Sequence, residues 1–306
     1  MPALQLSPRA ARFQHVIFAD PAQRRRRRVV DLAPQLPSMP AVQRPERISL
    51  RADQEAFMRW LFSQAGLRAS NYRAETLRRR LPACLRALRA DTCADAKQIL
   101  QLDRTRIDAA ISALVIGVTS FFRDAAVFDH LTYNVLRELR HRPHAARIWS
   151  AACSDGEELY SIAILLAEMN MLDGAYLLGT DCRPLAIARA RAGRYAAALL
   201  RDVPQPWIEQ YFVRSGDAWQ IGAEMRRRVQ WRSGDATSII EPGAWDVILC
   251  RNMAMYLRPE ISGQLWQRME QALRPGGFLI LGKAERPIGA DRLSLVTPCI
   301  YRRDKG

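Results

Sequence analysis

From Arg147 onward, short apolar strands alternate with amphipathic helices, and this alternation restricts the possible folds more than any other feature of the chain. The predicted strands are 147–152, 176–180, 229–232, 245–250 and 277–281, and the helices between them begin near Glu157, Pro184 and Arg258. Strands joined by helices form parallel sheets with helices on both faces. We therefore expect an α/β fold with a doubly wound, mostly parallel sheet, which segments 293–296 and 300–302 complete as an antiparallel hairpin.

The loop between the first strand and its helix is rich in small and acidic residues. Gly156 suits a tight turn, which lets a ligand approach the backbone closely. Asp155, Glu157 and Glu158 place negative charge at the helix N-terminus, where a phosphate would otherwise bind. This pattern favours a neutral or cationic ligand, and S-adenosylmethionine, with its sulfonium and ammonium groups, fits better than NAD or ATP. The same carboxylates also suit a purely structural role, because they complement the helix macrodipole.

Polar residues also follow the next three predicted strands, and the ligands of such sheets bind outside the carboxyl ends of the strands. Asp181 can accept both hydroxyls of a ribose, or cap the helix that begins at Pro184. Asp235 can accept the amino group of adenine, or form a turn. Arg251 and Asn252 follow the fourth strand. Polar residues at four strand ends predict one pocket for a nucleotide-like ligand.

Composition excludes several classes of protein. The 306 residues are 49% hydrophobic, which is enough for a large core. No apolar run approaches the roughly 20 residues that cross a bilayer, and the N-terminus lacks a signal-peptide core, so we expect a cytoplasmic protein. Six cysteines form no Cys-x-x-Cys pair and four histidines show no ligand spacing. Buried, reduced thiols and no metal site are therefore expected.

The formal net charge of +15 is unevenly distributed. Residues 1–49 are rich in proline and contain the run Arg24 to Arg28, which predicts a disordered basic tail. Such a run can bind nucleic acid electrostatically, although it is more often a solvated feature. Single-stranded nucleic acid sites also contain interleaved aromatic residues, which this run lacks. We therefore do not expect nucleic acid to be the partner.

Residues 50–117 are expected to form a small helical domain. A first helix begins near Asp53, a second covers about 72–80, Pro82 starts a separate turn or helix, and a third covers 104–114. The second region has an arginine stripe, which either docks an acidic partner or is a solvated helix face. The stripe consists of Arg73, Arg78, Arg79, Arg80, Arg86 and Arg89.

Between Arg194 and Val229 the alternation of strands and helices breaks, and aromatic residues are separated by glycine and proline. This change predicts a small inserted subdomain over about residues 196–228.

Five motifs, in this order, resemble those of the CheR-type chemoreceptor protein-glutamate O-methyltransferases, and together they are specific. They are Thr119-Ser120-Phe121-Phe122-Arg123, the segment 149–161, Gly179-Thr180-Asp181, the segment 190–195, and the segment 250–256 that begins Cys250-Arg251-Asn252. The resemblance covers about residues 53–304.

This resemblance implies a class I S-adenosylmethionine-dependent methyltransferase domain over 118–306, with an inserted β-subdomain and a preceding helical domain. It implies cofactor contacts from Glu157 or Glu158, and from Thr119, Arg123, Asp181, Asp235, Ala236, Arg251 and Asn252. Arg123 and Tyr256 are candidates for orienting the acceptor carboxylate and the methionine end of the cofactor, and each can alternatively be structural.

The expected reaction forms methyl esters on glutamates of acidic chemoreceptor helices and releases S-adenosylhomocysteine. A receptor C-terminal peptide is expected at the inserted subdomain, and the protein is expected to be a monomer. A glutamate is already an anion at neutral pH, so it attacks the methyl group without a general base.

The chain departs from the family pattern in two informative places. Gly117 replaces an asparagine that usually contacts the cofactor, and Leu159 replaces a proline in the first helical turn. Two alternatives to the expected enzyme follow: a non-enzymatic binding module, indicated by Gly117, and a methyltransferase with another acceptor such as nucleic acid.

Overall fold

A seven-stranded mixed sheet lies at the centre of the computed structural model, which describes residues 50–115, 117, 119–238 and 240–305. The predicted basic tail, including Arg24 to Arg28, lies outside these residues. The strands of the chain are β1 (Arg147–Ala151), β2 (Tyr176–Asp181), β3 (Arg194–Ala196), β4 (Phe212–Ser215), β5 (Ala218–Ile221), β6 (Val229–Ser233), β7 (Trp245–Cys250), β8 (Leu273–Leu281), β9 (Leu293–Thr297) and β10 (Ile300–Arg303).

The strand order of the large sheet is β6-β2-β1-β7-β8-β10-β9. Strands β6, β2, β1, β7 and β8 are parallel, and β10 and β9 form the antiparallel end. The predicted fold class, a mostly parallel sheet with a C-terminal hairpin, is confirmed. The chain proceeds from β1 to one edge of the sheet and later returns to β7 on its other side, so β1 and β7 define the topological switch point where ligands bind.

Eleven helices surround this sheet in the described ranges. They are α1 (Ala52–Gln64), α2 (Ala74–Leu88), α3 (Cys93–Leu102), α4 (Ile107–Leu114), α5 (Ala125–Leu131), α6 (Arg137–Arg140), α7 (Glu157–Glu168), α8 (Pro184–Ala192), α9 (Gln205–Tyr211), α10 (Ala223–Arg228) and α11 (Pro259–Ala272). Within the described residues, no helix combines the length and apolar character needed to cross a bilayer.

The N-terminal helices differ from the sequence prediction in two respects. Helix α2 continues through Pro82, where the sequence predicts a break. Pro82 and Arg78, whose carbonyl loses its helical donor, are both exposed, so water can bind that carbonyl. Helix α3 was not predicted, although Thr92 and Asp95 form a reciprocal capping box at its start.

Helices α1 to α4 share one hydrophobic core with a face of the large sheet. Phe62 and Leu81 from the helices and Trp149 and Trp245 from the sheet are almost fully buried in it. The Trp149 indole N–H donates to the Thr180 hydroxyl at 2.9 Å, so this buried polar group is satisfied.

Polar contacts reinforce the same junction. The Asn71 side-chain amide donates to the Thr237 hydroxyl at 2.9 Å, and Arg73 Nε donates to the Leu257 carbonyl at 2.8 Å. The helical segment is therefore held against the carboxyl-end loops of the sheet.

A second, three-stranded antiparallel sheet has the order β3-β5-β4 and lies between Arg194 and Ile221. Its strands β3 and β4 pack on Phe121, whose ring lies 4.9 Å from Tyr195 and 5.2 Å from Phe212. The two contacts of Phe121 are edge-to-face, an arrangement that stabilises aromatic pairs. Helix α9 packs on Phe122, whose ring lies 5.5 Å from Trp207. The small sheet therefore positions the loop that carries Arg123.

All six cysteines are free thiols, as expected, and five of them are buried.

Candidate active site

A cavity of about 490 Å³ opens at the carboxyl ends of the parallel strands, next to the switch point between β1 and β7. Its size is typical of a site for a small molecule. The loops after β1, β2, β6, β7 and β8 line it, together with one face of helix α2 and with Gly117, Thr119, Ser120, Arg123 and Asp124.

The loop after β1 approaches the cavity in a strained conformation. Ala152 and Ser154 have φ values of +57° and +53°, in the left-handed region that non-glycine residues seldom adopt. Gly156 follows at φ +97°, and a Cβ there would lie 2.7 Å from the Trp231 ring and 2.8 Å from the Ala190 Cβ. This turn therefore requires glycine, as the sequence predicts.

Of the three acidic residues in this loop, only Glu158 lines the cavity. Its Oε1 accepts the Ser150 hydroxyl at 2.8 Å, and its Oε2 lies 3.2 Å from Arg251 Nη1. Glu157 is buried, and its Oε2 has no hydrogen-bond partner among the residues that the structure describes. Burial raises the pKa of Glu157 to about 7. Asp155 pairs with Arg189 at the surface. The structure thus places Glu158, and not Glu157, at the site.

Arg251 joins three segments around the cavity, and its side chain is only 3% exposed. One guanidinium nitrogen contacts Glu158, and Nη2 donates at 2.9 Å to both the Arg123 carbonyl and Asp124 Oδ2. Lys283 Nζ lies 2.6 Å from the other oxygen of Asp124. Such a buried guanidinium holds its partners in fixed geometry.

The lining of the cavity is not the acidic surface that the sequence predicts. Four carboxylates line it together with five cationic side chains, because cations from loops distant in sequence approach the acids. The carboxylates are Asp124, Glu158, Asp181 and Asp235, and the cations are Arg80, Arg123, Arg183, Arg251 and Lys283. Any selection of a cationic ligand must therefore arise from individual carboxylates and not from the net charge of the cavity.

The two strand-end aspartates line the cavity, and they have different hydrogen-bond and ion-pair partners. Asp181 is ion-paired with Arg183, whose Nε lies 2.9 Å from its Oδ1, and it makes no N-cap hydrogen bond to helix α8. Asp235 accepts the Thr237 backbone N–H and hydroxyl and the Ser238 hydroxyl, which is the turn that the sequence allows.

The remaining predicted site residues lie together at the same cavity. Thr119 and Arg123 line it from the segment before α5, Ala236 follows Asp235, and Asn252 and Tyr256 follow β7. Tyr256 ends the short 3₁₀ turn Ala254–Tyr256.

Sequence reasoning missed several residues of this site. Tyr72 and Thr76 line the cavity from the helical segment, which the sequence assigns to a separate domain. Glu285 follows the lining residue Ala284, is buried, and accepts four backbone N–H groups. A signal for Glu285 was available, because the loop after β8 lies at the same edge of the sheet as the other strand ends.

Comparisons with known proteins identify the family to which the chain is similar. The family model described as CheR methyltransferase, SAM binding domain matches residues 117–296. A chemotaxis protein methyltransferase of Listeria monocytogenes is 30% identical over 249 residues, which cover 81% of this chain and 95% of that protein. A protein of the same name from Vibrio parahaemolyticus is 30% identical and covers 80% and 94% of the two chains.

Chemotaxis protein methyltransferase 1 of Pseudomonas aeruginosa is 28% identical over 76% of this chain and 90% of its own length. The matched region contains the segment 119–123, all of the strand-end residues and Tyr256. The chain therefore belongs to the CheR methyltransferase family.

Proposed function

We propose that this protein transfers a methyl group from S-adenosylmethionine to glutamate carboxylates of a chemoreceptor. The observation that carries the proposal is the convergence of Thr119, Arg123, Glu158 and the residues after β2, β6 and β7 on one cavity, in a chain of the CheR methyltransferase family. Relatives of similar length are named chemotaxis protein methyltransferases, which supports a chemoreceptor as the acceptor. The acceptor would be a cytoplasmic receptor helix, so the proposal includes a cytoplasmic location.

The residues present at the cavity fit S-adenosylmethionine. Glu158 offers a carboxylate to its ammonium group, and Asp235 and Ala236 line the part of the cavity at the end of β6, where we expect adenine. Thr119, Arg123 and Asn252 offer hydrogen-bonding groups to the methionine end. When bound, this cofactor supplies a methyl group attached to a positively charged sulfur. The sulfur leaves as a neutral thioether, so its departure needs no proton.

The reaction requires little acid or base catalysis from the protein. An acceptor glutamate has an ordinary pKa of about 4.3, so it enters as the nucleophilic anion. The protein must hold this carboxylate in line with the methyl group and keep water away. Arg123 and Tyr256 line the cavity and are the groups we assign to hold it.

Helix α2 provides a route for an acidic receptor helix towards this cavity. Arg78, Arg79 and Arg86 are exposed on its surface, the exposed Arg89 directly follows its last residue, and Arg80 lines the cavity itself. The arginine stripe thus belongs to the same helical segment that lines the site, and positive charge of this kind accelerates the encounter with an acidic partner. We propose that the stripe docks the substrate helix.

The three-stranded sheet offers a second contact. Strand β4 is an edge of that sheet, and its Val213 is 61% exposed. An extended peptide can add to such an edge through backbone hydrogen bonds. We propose that a receptor C-terminal peptide binds there.

The test uses the full chain with methyl-labelled S-adenosylmethionine and either a purified receptor cytoplasmic fragment or RNA. Label that enters the receptor fragment and is released as methanol by mild base identifies a carboxyl methyl ester. Replacement of the receptor's methylated glutamates by glutamine should abolish incorporation. Label in RNA alone, or no cofactor binding by calorimetry, would show that the proposed function is wrong.

A further inference from the structure

Arg183 lies at the centre of a buried polar network beside Asp181. Both residues are only 4% exposed. Arg183 Nη2 donates to the Ser154 hydroxyl oxygen at 3.0 Å, and the Ser154 hydroxyl in turn donates to the Gly117 carbonyl at 2.8 Å. The network therefore connects the ends of β1 and β2 with the segment before the Phe-Phe-Arg motif.

The hydrogen-bonding capacity of Asp181 is fully used within this network. Its Oδ1 accepts the Arg183 backbone N–H at 3.0 Å and Nε at 2.9 Å. Its Oδ2 accepts the Ser154 backbone N–H at 2.9 Å and Arg183 Nη2 at 3.3 Å. A carboxylate has about four lone-pair positions, and all of them are occupied. Asp181 therefore has no position left for the two hydroxyl donors of a ribose.

Gly117 provides the space that the Arg183 guanidinium occupies. A Cβ at position 117 would lie 2.2 Å from Nη1, 2.3 Å from Nη2 and 2.5 Å from Cζ of Arg183. These contacts are too short for any real side chain, so the two positions are mutually dependent. The guanidinium fills the volume that a residue with a side chain at 117 would need.

One part of the guanidinium remains available. Among the residues that the structure describes, Nη1 of Arg183 has no hydrogen-bond partner, and Arg183 lines the cavity. Its two N–H groups can bind an acceptor oxygen. Because the rest of the guanidinium is buried and ion-paired, its withdrawal would leave an unpaired buried charge on Asp181, which is strongly unfavourable.

We propose that Arg183 is the residue that contacts the ribose of the cofactor, and that Gly117 is needed to leave room for it. This inference rests on the proposed use of S-adenosylmethionine. In this arrangement the group that faces the ribose is a guanidinium, which donates hydrogen bonds, and not a carboxylate, which accepts them. The site therefore recognises ribose oxygens as acceptors and disfavours a cationic substituent at that position.

The test compares the binding of S-adenosylhomocysteine with that of an analogue in which a ribose hydroxyl is replaced by an amino group, measured by calorimetry at pH 6. The wild-type chain should bind the amino analogue at least tenfold more weakly, because Arg183 repels its positive charge. Arg183→Ala exposes the Asp181 carboxylate and should reverse this preference. General damage to the site would weaken both ligands equally and leave the preference unchanged.

A double-mutant cycle tests the role of Gly117. Gly117→Ala should weaken S-adenosylhomocysteine binding at least tenfold in the wild-type background, and by less than threefold when Arg183→Ala is also present. Arg189→Ala removes an exposed arginine from helix α8, which directly follows Arg183, as a control and should change neither ligand's affinity. Thermal unfolding of every variant reports whether it is folded, and Arg183→Met replaces Arg183→Ala if that variant is not.

The outcomes separate this inference from the proposed function. If the wild-type chain binds no S-adenosylhomocysteine, the proposed function is wrong and the inference falls with it. If the wild-type chain binds this ligand and Arg183→Ala keeps the wild-type preference, or if the two substitutions act additively, only the inference is overturned.

Discussion

The carboxylate of Glu285 accepts the backbone N–H of Asn252 at 2.8 Å, which ties the loop after β7 to the loop after β8. The same carboxylate accepts the N–H groups of Ala254, Met255 and Gly282 at 2.8, 3.3 and 2.8 Å. Asn252 has φ +59°, a conformation that costs energy unless its surroundings hold it. Glu285 therefore fixes the loop that presents Asn252 to the cavity.

Glu285→Gln should destabilise the protein and loosen the site. An amide keeps one acceptor oxygen but turns an NH₂ group towards two backbone donors, so we expect a loss of about 2–4 kcal/mol in the free energy of unfolding. Affinity for S-adenosylhomocysteine should fall at least tenfold. Urea denaturation and calorimetry measure the two effects.

Glu270→Gln is the matched control for that substitution, since Glu270 accepts one exposed backbone N–H from Arg292. It should change the free energy of unfolding by about 0.5 kcal/mol or less. Equal stability of the Glu285→Gln and Glu270→Gln proteins would contradict the assigned role of Glu285.

Glu157 should make the protein less stable as the pH rises. Burial raises its pKa from 4.5 to about 7 in the folded state. Between these values the folded chain keeps a proton that the unfolded chain loses, so stability is full below pH 4.5 and declines as the pH rises to 7. This difference corresponds to about 3 kcal/mol.

Glu157→Gln removes the titrating group and should flatten this dependence. Relative to wild type, its free energy of unfolding should be about 2.5 kcal/mol higher at pH 8 than at pH 5, as measured by urea denaturation, because the unfolded chain is already largely deprotonated at pH 5. The exposed Glu224→Gln variant should follow the wild-type curve. Parallel curves for wild type and Glu157→Gln would show that the carboxyl group is not protonated in the folded protein.

The sheet could be predicted from the sequence because each buried strand is a short apolar run bounded by polar residues. Trp245–Cys250, for example, is buried along its whole length and was predicted with its observed bounds. The polar strand ends were equally informative, since the parallel topology alone brings Asp181, Asp235 and Asn252 to one cavity.

The charge of the cavity could not be predicted in this way. Local sequence shows Glu158 and Asp181 as unpaired acids. In the fold, Arg251 from the loop after β7 pairs with Glu158, and the side chain of Arg183 pairs with Asp181. A side chain's partner depends on rotamer and on distant loops, and neither follows from spacing along the chain. The continuation of helix α2 through Pro82 was missed for a related reason, because tertiary packing of α2 outweighed the local preference.

Pro82→Ala should stabilise the protein. Alanine restores the hydrogen bond to the exposed Arg78 carbonyl and removes the proline ring from the middle of helix α2. The greater flexibility of the unfolded chain offsets part of this gain, so we expect about 1–3 kcal/mol in the free energy of unfolding.

Pro259→Ala is its control, because Pro259 is the first residue of helix α11, where proline is well tolerated. Denaturant unfolding should show no gain for this variant. A loss of stability in Pro82→Ala would mean that helix α2 requires the proline.

Removal of charge from the arginine stripe should slow methylation of the receptor without affecting the cofactor. Arg78 and Arg79 are exposed and do not line the cavity, so Arg78→Ala combined with Arg79→Ala should leave S-adenosylhomocysteine affinity unchanged. We expect kcat/KM for the receptor fragment to fall about tenfold at low salt, and its salt dependence to become shallower, because fewer charges steer the encounter. Arg59→Ala combined with Arg140→Ala removes the same charge from exposed positions on helices α1 and α6. Equal rates and equal salt slopes for the two double variants would place receptor docking elsewhere on the protein.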